Sequence, residues 1–181
     1  MLWACLFLPS LALDVFARNA ATDPARRSHA HFPLVRPTAA QSLPAAPPLV
    51  VHDGARHPVV IAANAAARKA GIRHGQQVSA AIALAPDVLL RERNREAEAD
   101  ALVEVATLAL AFTPQASLAP PAAVVAELGA SARLFGGVSH LLERLVRQVE
   151  ARGYRVRSAI APTPTAAWLL ARAAPAVPAT G

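Results

Sequence analysis

Short apolar runs and helical spacings alternate along the chain, and together they predict a mixed α/β architecture. Residues 2–8 form an apolar run ended by Pro9 and read as a buried strand. Leu49-Val-Val-His52 and Pro58-Val-Val-Ile-Ala62 are two further runs separated by an Asp53-Gly54 turn, the pattern of a β-hairpin or of a strand entering a helix. Ala63 to Ala70 is rich in strong helix formers and is followed by Gly71 at the position where a left-handed residue ends a helix. Ser79 is placed to cap a short helix ending before Pro86, and Val88-Leu-Leu90 reads as a short strand.

The second half is more regular. Leu102, Val105, Ala109 and Phe112 recur at spacings of three and four and predict one apolar stripe on a helix from Glu96 to Phe112. Glu96, Glu98 and Asp100 lie in its first turns, where the positive end of the helix dipole favours them. Residues 116–119 and 122–128 are short apolar runs joined through Pro120-Pro121, a predicted pair of strands. A helix from Val138 to Arg152 buries Leu141, Leu142, Leu145, Val146 and Val149, with Ser139 as its cap and Gly153 as its stop. Arg155 to Ile160 alternates toward a last strand, Thr165 to Ala173 is helical, and Trp3 and Trp168 read as core or interface aromatics.

Without residues 15–92, the order is strand, helix, strand, strand, helix, strand. The expected fold class is therefore α+β, a ferredoxin-like βαββαβ unit with a small α/β subdomain inserted after the first strand. The expected divisions are residues 1–14 as first strand and turn, 15–92 as insertion, 93–174 as the rest of the unit and 175–181 as a tail. A small α/β enzyme of another topology is the alternative. Residues 19–48 carry Ala, Pro, Arg and His without periodicity and read as a mobile loop, on which His29 and His31 are solvated residues rather than metal ligands.

Composition narrows the classes. The 181 residues are 54% hydrophobic and hold sixteen prolines, which excludes both wholesale disorder and a plain helical bundle. Cys5 is the one cysteine, so neither a disulfide scaffold nor a zinc finger is open, and a reducing compartment fits. Lys and Arg number 18 against 12 Asp and Glu, with Lys69 the single lysine, and this net charge of +6 favours an anionic partner such as nucleic acid. The N-terminal run lacks a basic segment before it, and no stretch has the ~20 apolar residues that cross a bilayer, so neither a signal peptide nor a membrane is expected.

Several stretches resemble the Y-family translesion DNA polymerases, of the UmuC and DinB kind. Pro58-Val-Val-Ile-Ala-Ala-Asn-Ala-Ala-Ala-Arg-Lys-Ala-Gly-Ile-Arg-His-Gly75 is similar to the family's fingers motif, a strand leading into an A-N-x-x-A-R-x-x-G-[IV]-x-x-G helix and turn. Residues 83–89 are similar to the element that follows it, and Phe7-Leu-Pro9 and Arg133-Leu-Phe-Gly-Gly137 resemble segments of the catalytically inactive ImuB-type subgroup. The resemblance implies a fingers and palm frame, with no thumb, little finger or clamp-binding tail in this chain, as in a truncated or split product.

Active relatives hold two Mg²⁺ ions on carboxylates, one at the end of the first palm strand and an acidic pair in the later hairpin, for phosphoryl transfer. In register those positions are Leu8, Ala122 and Ala123, so the resemblance implies no catalytic residue and no metal or other cofactor. Asp14 and Glu127 are the carboxylates that a divergent, Mg²⁺-using nucleotidyl transferase would recruit. Ala65 stands where the family has an aromatic beside the incoming nucleotide, and the resemblance implies Asn64 and Arg68 as nucleotide or phosphate contacts, although an arginine on an Ala-rich helix also suits a solubilising surface position. Arg73, His74 and the run Arg91, Arg93, Arg95 are candidates for the DNA backbone, although an alternating charge run also suits a solvated face. The implied function is a non-catalytic accessory factor in damage-induced (SOS) translesion synthesis and DNA repair. The resemblance likewise implies a cytoplasmic, nucleoid-associated factor that binds DNA weakly, with an error-prone polymerase, the sliding clamp and mutasome proteins as partners. An inert fragment or an unrelated α/β interaction module are the competing readings.

Overall fold

The computed structural model describes residues 1–22 and 47–173. The reading of residues 19–48 as a loop lies, for positions 23–46, outside the described residues, as do His29, His31 and the tail from 174. The chain divides into two compact units, one made of Met1–Asp14 and the segment from Arg95 onward, the other of Val15–Asn94.

The first unit is built on a four-stranded antiparallel sheet of order β5-β6-β1-β7, with β1 at Trp3–Phe7, β5 at Ala116–Ala119, β6 at Ala123–Glu127 and β7 at Arg157–Ala161. β1 is sandwiched between partners, and Ala4, Cys5 and Leu6 are all buried, so its two faces both pack into apolar surroundings. Helix α4 (Arg95–Leu110) packs on β5, β6 and α5 (Val138–Ala151). The residues at its spacings of three and four, Leu102, Val105 and Ala109, are buried, and Phe112 just beyond it is too. On α5 the buried positions are Leu141, Leu145 and Val149, with Leu142 and Val146 half-buried beside them. Helix α6 (Pro164–Ala173) packs on β1, β7 and β6 through Ala167 and Ala171, and Trp3 and Trp168 border that contact. The mixed α+β class and this palm-like strand order agree with the sequence pattern.

The second unit holds a three-stranded sheet of order β3-β2-β4, with β2 at Leu49–His52, β3 at Val60–Ala63 and β4 at Leu89–Glu92. β2 pairs antiparallel with β3 and parallel with β4, and the short helices α2 (Ala65–Lys69) and α3 (Val78–Leu84) lie between them in sequence. Its core is small: Val50, Val60, Ala67, Ile72 and Ala81 with Ala63 and Ala85. Gly71 adopts φ 93, which ends α2 in the left-handed region that glycine enters without a Cβ penalty.

Three local expectations are corrected. Residues 11–22 form a helix, α1 (Leu11–Thr22), where a turn and then a loop were expected. Leu11, Leu13 and Val15 are all buried and alternate with period two, which hides the helical repeat, while Ser10 O accepts the N–H groups of Leu13 and Asp14 to start the turn. Ser79 does not cap α3, whose N-cap is Gln77, and Ser139 does not cap α5, whose N-cap is Gly137; neither helix start has a side-chain cap. In both cases the helix begins earlier than the serine, so its hydroxyl lies inside the first turn.

Candidate functional site

The palm sheet places one residue from each strand in a line. Ala119 pairs with Ala123, Ala123 with Phe7, and Phe7 with Arg157, and direct partners in antiparallel strands project to the same face. This row, Ala119, Ala123, Phe7, Arg157, lies on the face covered by α6, where Ala119, Ala123 and Phe7 join an apolar cluster with Cys5, Val125, Ala161, Ala167 and Ala171. Beside the row, Leu8 donates its backbone N–H to Ala122 O at 2.8 Å, and the Leu8 side chain is buried.

The structure thus brings Leu8, Ala122 and Ala123 together and adds Phe7, which the sequence reading named only as part of the Phe7-Leu-Pro9 segment and not as a site position. The period of two along β1 carried a signal for it, since residue 7 and residue 8 face opposite sides of a strand. A Mg²⁺ site needs convergent oxygen ligands, and this row presents alkyl, phenyl and guanidinium groups, so the residues do not fit the metal. Among the described residues, no group of three or more His, Cys, Asp or Glu is placed to hold a metal ion.

The two carboxylates that a divergent enzyme would recruit have other partners. Asp14 Oδ2 accepts the Arg155 N–H at 3.1 Å, and its Oδ1 is 3.7 Å from Arg155 Nε. Glu127 accepts from the backbone N–H groups of Leu2, Gly129 and Ala130 at 3.1, 3.0 and 3.2 Å. Burial raises the Glu127 pKa, but these donors outweigh it and hold the carboxyl below its ordinary range. Glu127 pairs with Trp3, four residues along β6 from Ala123, or about 13 Å at strand rise. Cys5 is buried, and burial pushes its thiol up to about 11, which leaves it unreactive.

In the second unit, Asn64 is the N-cap of α2. Its Oδ1 accepts from Ala67 N at 2.9 Å and Leu49 N at 3.1 Å, and its Nδ2 donates to Pro47 O at 2.8 Å. Ala65 is exposed one residue later. Arg68 Nη1 donates to Ala63 O at 2.6 Å, and Arg73 Nη1 donates to Arg68 O at 2.8 Å, so Asn64, Arg68 and Arg73 surround one short helix. His74 Nδ1 lies 3.0 Å from Ile61 O, a contact that requires the proton on that nitrogen. Arg91 lies on β4 and donates to Leu90 O, and Arg93 N donates to His52 O just after that strand. Arg95 opens α4 in the other unit, so the three arginines of the run do not sit on one element.

Arg133-Leu-Phe-Gly-Gly137 is a 3₁₀ turn at Ala132–Phe135 followed by two glycines at φ 77 and 113. The Phe135 and Phe112 rings meet at a tilt of 58° with centres 5.3 Å apart, and the Arg144 guanidinium lies over both rings. The segment is a packed corner between α4 and α5.

Comparison with known proteins agrees with this architecture. Residues 30–172 match the impB/mucB/samB family. Protein ImuB of Caulobacter vibrioides (strain NA1000 / CB15N) is 30% identical over 105 residues, which are 58% of this chain and 23% of that protein, so the chain spans under a quarter of the curated relative's length. DinB from Sulfolobus solfataricus superposes with a TM-score of 0.66 at 16% identity, over 97% of this chain and 46% of that one. The insertion ternary complex of Dbh DNA polymerase superposes at 0.67 with 15% identity and the same coverage. These matches overturn the reading as an unrelated interaction module. The chain belongs to the impB/mucB/samB family, the Y-family of polymerase-like proteins.

Proposed function

We propose that this chain is the fingers and palm portion of a Y-family protein that takes part in damage-related DNA synthesis and does not itself catalyse nucleotide transfer. The observation that carries this reading is the row through β5, β6, β1 and β7. Its central positions are Ala123 and Phe7, with Leu8 and Ala122 beside them, and none can ligate a cation. Resemblance to Protein ImuB supports a role tied to DNA damage, and likeness to Dbh captured as a ternary complex supports contact with DNA. Asn64 and Arg68 are the proposed nucleotide or phosphate contacts, and Arg73, Arg91, Arg93 and Arg95 the proposed backbone contacts. An error-prone polymerase, the sliding clamp and mutasome proteins are the proposed partners, in the cytoplasm at the nucleoid. Among the described residues no helix is long and apolar enough to cross a membrane.

Primer extension tests the proposal. The purified chain, given primed template, deoxynucleotides and either Mg²⁺ or Mn²⁺, is expected to add no nucleotide, while it binds the template in a salt-dependent way. Extension by the wild-type chain that Ala123→Asp leaves unchanged would sink the non-catalytic reading.

A further inference from the structure

We infer that the outer face of α4 is a docking surface for a helix of a partner protein, one that brings an apolar stripe and basic residues in its last turns. The surface rests on the partner-binding part of the proposed function and not on its non-catalytic part.

The two long helices of the first unit spread their apolar residues differently. On α5 the outer side is polar, with Glu143, Arg144, Arg147, Gln148 and Glu150 exposed. On α4 the inner side is filled by Leu102, Val105 and Ala109 against β5, β6 and α5, yet apolar residues continue round the helix. Val103 and Leu110 are 52% and 53% exposed. At helical geometry these two lie about 20° apart around the axis, with Ala99, Ala106 and Thr107 within about 60° of them. Thr107 joins the stripe as a methyl group, because its Oγ1 donates back to the Val103 carbonyl at 2.8 Å. Ala99, Val103, Ala106 and Leu110 are spaced as in a seam against which a second helix packs. A helix apolar on all sides is normally covered on all sides.

Charge decides what covers it. The whole chain carries +6, but α4 holds Glu96, Glu98, Asp100 and Glu104 against Arg95 alone. Glu98 is buried and Glu104 is bonded to Arg152 and Tyr154, which leaves Glu96 and Asp100 exposed at the N-terminal end of the stripe. These carboxylates repel phosphate, so neither a nucleic-acid strand nor an anionic bilayer suits the face. Two copies of the face do not match either. Side by side in parallel the carboxylates meet each other, and in antiparallel they are laid against Thr107 and Leu110. A partner helix running antiparallel, with Lys or Arg in its last turns, meets both parts of the face. Its apolar stripe covers Val103 and Leu110, and its cations reach Glu96 and Asp100 while they suit the C-terminal end of their own helix dipole.

Peptide binding to the 181-residue chain, read by fluorescence anisotropy, tests the inference. One probe is an alanine-based synthetic helix of about five turns, with leucine at alternating steps of three and four and lysine in its last turns. The other is its twin with glutamate in place of lysine. The lysine peptide is expected to bind, and the glutamate twin to bind about tenfold or more weakly. Leu110→Ser and Val103→Ser are each expected to weaken the lysine peptide about tenfold. Both residues are half-exposed, so either variant keeps the test decisive if the other fails to fold. Glu96→Lys combined with Asp100→Lys is expected to reverse the preference in favour of the glutamate twin, a result that loss of folding does not produce. No binding of the lysine peptide, equal binding of the two, or binding unmoved by both serine variants overturns the docking surface. A dimer in sedimentation that Leu110→Ser dissociates overturns it too, since a second copy is then the occupant. Primer extension bears on the non-catalytic reading alone and leaves the peptide result standing.

Discussion

Leu8 donates its backbone N–H to the carbonyl of Ala122 at 2.8 Å, extending the β1–β6 ladder one step past the partners Phe7 and Ala123. The bond involves no side chain. Backbone groups alone make it, so it closes the strand ends here with apolar side chains at both positions.

The two neighbours on β1 differ in their tolerance of charge. Leu8 is 1% exposed, whereas Phe7 is half-buried at the edge of the α6 contact. Leu8→Asp is expected to lose about 3 kcal/mol or more, and Phe7→Asp at least about 1 kcal/mol less than that. Urea unfolding of the two variants checks it, and equal losses would refute the facing assigned here.

Asn64 joins the start of α2 to β2 with one side chain. Asn64→Ala removes the cap on Ala67 N, the acceptor for Leu49 N and the donor to Pro47 O, and is expected to cost about 2 kcal/mol. Hydrogen exchange should show faster opening at Leu49 and Ala67, with Asn64→Asp intermediate because it keeps the acceptor.

Tyr154 is buried, and its hydroxyl donates to Glu104 Oε2 at 2.7 Å, while Arg152 Nη1 donates to Glu104 Oε1 at 2.7 Å. The bonds tie α4 to the end of α5. Tyr154→Phe is expected to cost about 1–2 kcal/mol and Arg152→Ala under about 1 kcal/mol, since the arginine is half in solvent. Denaturant midpoints at a shared m-value measure the difference.

Glu127 gives a pH dependence with a definite sign. Its folded pKa lies below the ordinary value of 4.5 because the donors from Ala130, Leu2 and Gly129 overcome the effect of burial. A lowered folded pKa means that its stabilisation is complete above the unfolded value, near pH 4.5, and is lost as pH falls through the folded one. Wild type should exceed Glu127→Gln in stability at pH 7, and the gap should close in acid. A gap constant from pH 7 to 3 would contradict the assignment.

Phe135 anchors the glycine turn through Phe112 and Arg144, whereas Leu134 next to it is 82% exposed. Phe135→Ala is expected to cost about 2–3 kcal/mol and Leu134→Ala close to nothing, as thermal melts of the two would read.

The α+β class and most element positions were legible because their signals are local. Gly71 and Gly153 end helices, the stripe from Leu102 to Phe112 repeats at helical spacing, and Ala116 to Ala119 reads as a strand from its own residues. The family resemblance was legible too, since Pro58 to Gly75 is one continuous stretch. Helix α1 was not, because three buried residues at period two masked its repeat, and its Asp14 is held by Arg155 from 141 positions away.

What the sequence determined by itself was a polymerase-like order of strands and helices, with apolar residues at Leu8, Ala122 and Ala123. Only the tertiary structure decided what stands beside them. Phe7, Ala123 and Arg157 meet through antiparallel register, which sets partners by backbone pairing between strands far apart in the chain, and α6 then brings Arg172 to the same end. No local pattern encodes that meeting, because each of these residues is read in sequence only against its own neighbours.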